Sequence, residues 1–201
     1  MTKISRLRLL LFISSLLCFS ERPAAETFRW SLSDSPITIS EDFLVLPDDQ
    51  LLIDSGVQVL FQSDTRLIVR GSLNIEAGAP IRFSAFSGDS WGGVNVQTDA
   101  DFVVQNLEIE SALIGLEIVS SAGVSVINSN FSENEVGISL FADDGFRYRK
   151  NVVENSTFVG NGSGIRAHKT GLIALDNAFI VEEDAVRYRT NKRPVESRFP
   201  H

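Results

Sequence analysis

From about residue 26 onward the chain alternates apolar and polar positions over short stretches, as in Val124-Ser125-Val126. A period of two places successive side chains on opposite sides of an extended backbone, so these stretches predict strands. Stretches 51–61 and 67–75 read as further strands bounded by glycine and polar turns, and 79–83 and 91–94 continue them. No segment in this part of the chain carries a 3.6-residue period with capping residues, which excludes helices as the recurring element.

The strands recur in register. A glycine followed by apolar, polar and apolar residues appears at Gly93-Val94-Asn95-Val96, Gly115-Leu116-Glu117-Ile118, Gly137-Ile138-Ser139-Leu140 and Gly164-Ile165-Arg166-Ala167, and Ala185-Val186-Arg187-Tyr188 is a fifth copy without the glycine. An asparagine follows thirteen residues after three of these glycines (Asn106, Asn128 and Asn177), and Asn155 joins them once a five-residue insertion is allowed. Three residues later come Ile109, Phe131, Phe158 and Ile180, and three residues before Gly115, Gly137 and Gly164 stand Ala112, Asn134 and Asn161.

A unit of about 22 residues is the length of three short strands and three turns, which stack on the next unit at roughly 4.8 Å. Equivalent positions then lie above one another. Asn106, Asn128, Asn155 and Asn177 are expected to face inward and bond amide to amide along the coil, since a lone buried amide is costly. The repeat glycine is expected at a turn, supplying positive φ or a close approach.

With these units in hand, "LLIDSGVQVLFQ", "LIVRGSLNIEAGAPIRF", "WGGVNV", "VINSNFSENEVGISL" and "ENSTFVGNGSGI" resemble the right-handed parallel β-helix superfamily with the pectin-lyase-like fold. The resemblance covers roughly residues 36–190 and implies an all-β right-handed solenoid of six to seven rungs, of a type frequent among secreted bacterial proteins. Its enzymes' active-site signatures have no counterpart here, and such enzymes usually carry longer coils with large loops over the cleft.

The amino-terminal stretch is of another kind. Lys3, Arg6 and Arg8 precede the apolar run 9–19, too short to span a bilayer, which takes roughly 20 residues. Together they read as a secretory signal ending near residue 25. Acylation of Cys18 is the runner-up, disfavoured by bulky Leu17 before it. The expected organisation is a signal peptide over 1–25, a β-helix over 26–190 with 26–50 as amino-terminal cap and first strands, and a polar tail over 191–201. The expected location is extracytoplasmic.

Composition narrows the function. A single cysteine excludes a disulfide framework and a cysteine-rich zinc site, and two histidines exclude a multi-histidine metal centre. The formal charge is −8 overall, with residues 26–186 at −15 and the last fifteen residues at +4. An acidic body of this kind lacks the basic footprint of a nucleic-acid binder. Either the charged tail or a further module or partner is expected to cover the carboxy-terminal end of the coil, where no amphipathic cap is visible.

Two outward columns of the repeat carry the candidate chemistry: Asn95, Glu117, Ser139, Arg166 and Arg187, then Gln97, Val119, Phe141, His168 and Arg189. The inserted turn adds Asp143, Asp144, Arg147 and Tyr148, and Lys169 follows His168. Aromatic faces stack on sugar rings while arginines bind hydroxyls or carboxylates, so Phe141, Arg147, Tyr148, Lys169, Arg187 and Arg189 are candidate ligand contacts. A polysaccharide or a cell-envelope component is the expected partner, held by a non-catalytic carbohydrate-binding, adhesive or scaffold module. The alternative is a polysaccharide lyase or glycoside hydrolase on an acidic substrate, with Asp143, Asp144, His168 and Arg166 as catalytic candidates. No cofactor is expected, the one metal chemistry left open being weak calcium capture by Asp143 and Asp144.

Overall fold

The structure, a computed structural model, describes residues 24–97, 102–119, 123–141, 150–180 and 184–189. The expected leader up to residue 23, the inserted turn with Asp143, Asp144, Arg147 and Tyr148, and the tail from residue 190 lie outside these residues, and the side chain of Arg189 is not described.

Short strands wind in strict rotation over three faces, every third strand returning to the same face. The first face holds Thr27–Trp30, Gln50–Ile53 and Ser72–Ile75, then Phe102–Gln105, Val124–Ile127, Lys150–Glu154 and Gly171–Leu175. The second runs from Ile37–Ile39 to Ala178–Ile180 and the third from Phe43–Val45 to Asp184–Arg189, each as a seven-stranded sheet. Neighbouring strands pair in parallel throughout, which is how the chain forms the anticipated all-β parallel solenoid. Residues 26–50 supply the first rung, one strand on each face, before the second rung begins at Gln50.

Inward positions fuse into one core because in-register rungs stack like on like. One column reads Val59, Phe83, Ile109, Phe131, Phe158 and Phe179. Its last three rings stack face to face, with centroids 5.3 and 4.9 Å apart. Nearer the amino-terminal end, Phe61 stacks on Trp91 at 4.1 Å, and the Trp91 indole N–H donates to the Glu110 carbonyl.

The repeat glycines sit within third-face strands, which corrects their expected place at a turn. Gly137 shows the reason for glycine: a Cβ there would stand 2.6 Å from the Gly164 carbonyl oxygen and 2.8 Å from the Phe158 ring. Close approach to the next rung and to the aromatic stack is the constraint. Gly93 combines a tight approach to the Ile114 carbonyl with φ +97°.

The asparagine ladder also needs correction. Asn106, Asn128 and Asn155 do share a column, but as single left-handed corner residues (φ 56°, 51° and 49°) between the first and second faces, with Asn128 and Asn155 exposed. Asn and Asp tolerate this region best after glycine, so the column selects backbone conformation, not stacked amides. The fourth member is Asp176 (φ 52°), and Asn177 falls one column further on. Counting thirteen from Gly164 overshoots by one because the turn after His168 is a residue shorter, and for the same reason Phe179, not Ile180, continues the inward column.

The inward ladders run beside these corners. Asn161 Oδ1 accepts from the Asn134 backbone N–H (3.0 Å) and side-chain amide (2.9 Å), and its own amide donates to the Phe131 carbonyl. Asn134 repeats the arrangement one rung earlier, accepting from the Ala112 N–H and donating to the Ile109 carbonyl. Both are buried. A second ladder runs through hydroxyls: the Leu107 N–H donates to Ser129 Oγ, the Ser129 N–H to Ser156 Oγ and the Ser156 N–H to Asn177 Oδ1.

Two stability outcomes follow. Asn161→Ala strips partners from three buried groups of the preceding rung and is expected to cost about 2–4 kcal/mol in urea unfolding, against about 1 kcal/mol for Asn155→Ala, which loses no buried side-chain bond but puts alanine at a left-handed corner. Gly137→Ala is expected to cost about 2–3 kcal/mol by overpacking, read in the same assay.

Candidate functional site

The third face presents its outward residues in the columns the repeat anticipates. Asn95, Glu117, Ser139, Arg166 and Arg187 are register partners, as are Val119, Phe141, His168 and Arg189. The strand pleat sends the described side chains of these columns outward while Ile138, Ile165 and their neighbours fill the core.

The amino-terminal half of this face satisfies itself. Arg70 Nε donates to Gln97 Oε1 at 3.0 Å, Gln97 Nε2 donates to Asn95 Oδ1 at 2.6 Å, and Asn95 Nδ2 donates to Glu117 Oε2. Arg70 was not among the sequence candidates. The signal was present all the same, since Val69 pairs with Val96 and Arg70 therefore heads the column of Gln97.

The carboxy-terminal half is cationic and aromatic. Ser139, Leu140, Arg166, Ala167, His168 and Arg187 line an open depression of about 260 Å³. The His168 ring lies flat on Phe141, with centroids 5.1 Å apart and planes within 4°. Phe141 is partly exposed, so the pair forms a platform at the edge of the depression. Arg166 Nε is buried and has no hydrogen-bond partner among the described residues, although a buried polar atom normally has one. Arg187 lies directly above Arg166 in register.

Of the sequence candidates, the structure therefore brings together Arg166, Arg187, His168 and Phe141, with Lys169 in the turn that follows His168 at φ 55°. Among the described residues lining the depression there is no carboxylate, and the nearest on its column, Glu117, stands two rungs from Arg166 and is engaged by Asn95. The paired carboxylates of glycoside hydrolysis are therefore not found among the described residues that line this depression. No group of three or more His, Cys, Asp or Glu side chains among the described residues is placed to hold a metal.

The family model for a right handed beta helix region matches residues 54–184, more than half of the 201-residue chain. The chain belongs to this family, and its solenoid is the right-handed parallel β-helix. No curated protein and no solved structure matches the chain.

Phe141 packs on one side ring and on little else of the core, so Phe141→Ala is expected to cost less than about 1 kcal/mol of stability. The same change removes the ring-current shift of the His168 protons, which one- and two-dimensional NMR of the imidazole resonances reads directly.

Proposed function

We propose that this chain is a non-catalytic, extracytoplasmic β-helix module that holds an acidic polysaccharide, or a comparable anionic component of the cell envelope, along the carboxy-terminal half of its third face. The observation that supports the reading most directly is Arg166, which lines the open depression and whose Nε has no hydrogen-bond partner among the described residues. A carboxylate or sulfate on a sugar pairs with such a guanidinium through charge-assisted bonds. The register partner Arg187 sits one strand spacing away, roughly 4.8 Å, so a second anionic or hydroxyl oxygen of the same chain is within reach. The coplanar Phe141–His168 pair offers an apolar face to the C–H surface of a pyranose ring.

The geometry suits a polymer better than a small ligand. The depression is open, and the columns that form it run along the coil. The basic and apolar character of residues 3–19 and the net charge of −15 over residues 26–186 support a location outside the cytoplasm.

The reading is tested by measuring retention on immobilised polygalacturonate and on neutral dextran, with titration calorimetry for affinity. Binding to the polyuronate alone is expected, weakening with added salt, and Arg166→Ala is expected to lower affinity at least about tenfold, or about 1.4 kcal/mol. Equal retention on dextran, or no effect of Arg166→Ala, overturns it. If incubation instead releases reducing ends or unsaturated products, and His168→Ala abolishes that turnover, the chain is a polysaccharide lyase or hydrolase.

A further inference from the structure

Glu26 is where the described chain first becomes fixed. Its carbonyl accepts from the Gln50 N–H at 2.9 Å, and its own N–H donates to Asp49 Oδ1, also at 2.9 Å. The first strand starts directly afterwards, at Thr27. Ala24 and Ala25 just before it are exposed and form no hydrogen bond among the described residues.

Asp49 is itself fixed from several sides. Its N–H donates to the Leu46 carbonyl, its carbonyl accepts from the Ser72 N–H, and its Oδ2 accepts from the Leu46 N–H at 3.3 Å. It is 8% exposed and is the one ionisable side chain among the described buried polar residues. No lysine, arginine or histidine among the described residues pairs with it. Buried carboxylates are normally paired with a cation. The latches that accept a backbone N–H from the preceding rung deeper in the coil, Asn134, Asn161 and Ser156, are neutral. An amide oxygen would serve the Glu26 N–H equally well while that N–H belongs to a peptide bond. A carboxylate suits a donor that carries charge.

We propose that the chain is cut between Ala25 and Glu26, and that Asp49 is the seat of the α-ammonium group so formed. Small residues such as Ala24-Ala25 are what a peptidase acting on secretory precursors takes at its cleavage point, and their exposure leaves them open to it. Hydrolysis breaks the C–N bond between Ala25 and Glu26. The oxygen of water goes to the Ala25 carbonyl carbon, and the Glu26 nitrogen leaves as an amine that takes up a proton at neutral pH, since α-amino groups titrate near about 8. The nitrogen that met Asp49 as a peptide N–H then meets it as a cation, and a neutral hydrogen bond becomes a charge-assisted one. Removal of the leader thereby tightens the first rung, whose three strands pair with a neighbouring rung on one side only. The cut rests on the extracytoplasmic reading; the seat is a property of Glu26 and Asp49 alone.

Two measurements test the two parts separately. The first is the intact mass of protein recovered from the periplasm or medium of a bacterial host expressing the full chain. A mature chain beginning at Glu26 is expected. A secreted chain with any other start, such as Glu21, overturns the cut, whereas an uncleaved chain kept in the cytoplasm overturns the extracytoplasmic reading with it. The second measurement compares thermal unfolding of chains beginning at Glu21, Glu26 or Thr27, each released from a tag by a protease that leaves no residue behind. The Glu26 start is expected to melt about 2–4 °C above the Glu21 start, a gain that shrinks with added salt, and the Thr27 start below both. Asp49→Asn is expected to lower the midpoint more in the Glu26 start than in the Glu21 start. Equal midpoints for the Glu21 and Glu26 starts, or an equal loss from Asp49→Asn in both, overturns the seat. The comparison of starts needs no substitution, so it decides the matter even where Asp49→Asn does not fold.

Discussion

The described structure depends on one constraint: the backbone N–H and C=O groups of a rung's strands find their partners in the rung before and the rung after. Unlike a helix, a strand of this coil cannot pair within itself, and an unpaired buried peptide group costs on the order of 1–3 kcal/mol. Successive turns must therefore share outline and register. Once they do, side chains at equivalent positions are forced into contact with their own kind, which explains the phenylalanine stack through Phe131, Phe158 and Phe179 and the pairing of Asn134 with Asn161.

The corners solve the problem that constraint creates. A chain that must bend sharply without losing register does so at single left-handed residues. Asn106, Asn128, Asn155 and Asp176 do this between the first and second faces, and Ser111, Glu133 and Gly160 between the second and third. The polar interior sits immediately beside these bends, where the backbone N–H groups would otherwise lose their partners. Thus the hydroxyls of Ser129 and Ser156 and the amides of Asn134 and Asn161 are buried for a reason that hydrophobicity alone does not capture.

The fold was legible from spacing, because a rung repeats its length more faithfully than it repeats any residue. Strand identity, the outward columns of Arg166 and His168, and the parallel solenoid all followed from that periodicity. The finer roles did not. Asn106, Asn128 and Asn155 share a residue type for a backbone reason, and identity of type in a column does not distinguish a left-handed corner from an inward amide. The shorter turn after His168 shifted Asn177 into a different column, a one-residue change with no mark in the sequence because Asp176 serves the corner equally well. Arg70 escaped notice because the early rungs lack the glycine that anchors the later ones. The unpartnered Nε of Arg166 depends on how neighbouring side chains pack, which no spacing encodes.

The two internal ladders also have a direction. In each, a side chain from the later turn reaches back to complete the corner of the earlier one: Asn134 for Ala112, Asn161 for Asn134, Ser156 for Ser129 and Asn177 for Ser156. A chain emerging from a ribosome or a translocation channel amino terminus first therefore holds its newest turn in an unfinished state until the next one arrives. Synthesis itself becomes a zipper in which each increment of about two dozen residues locks its predecessor.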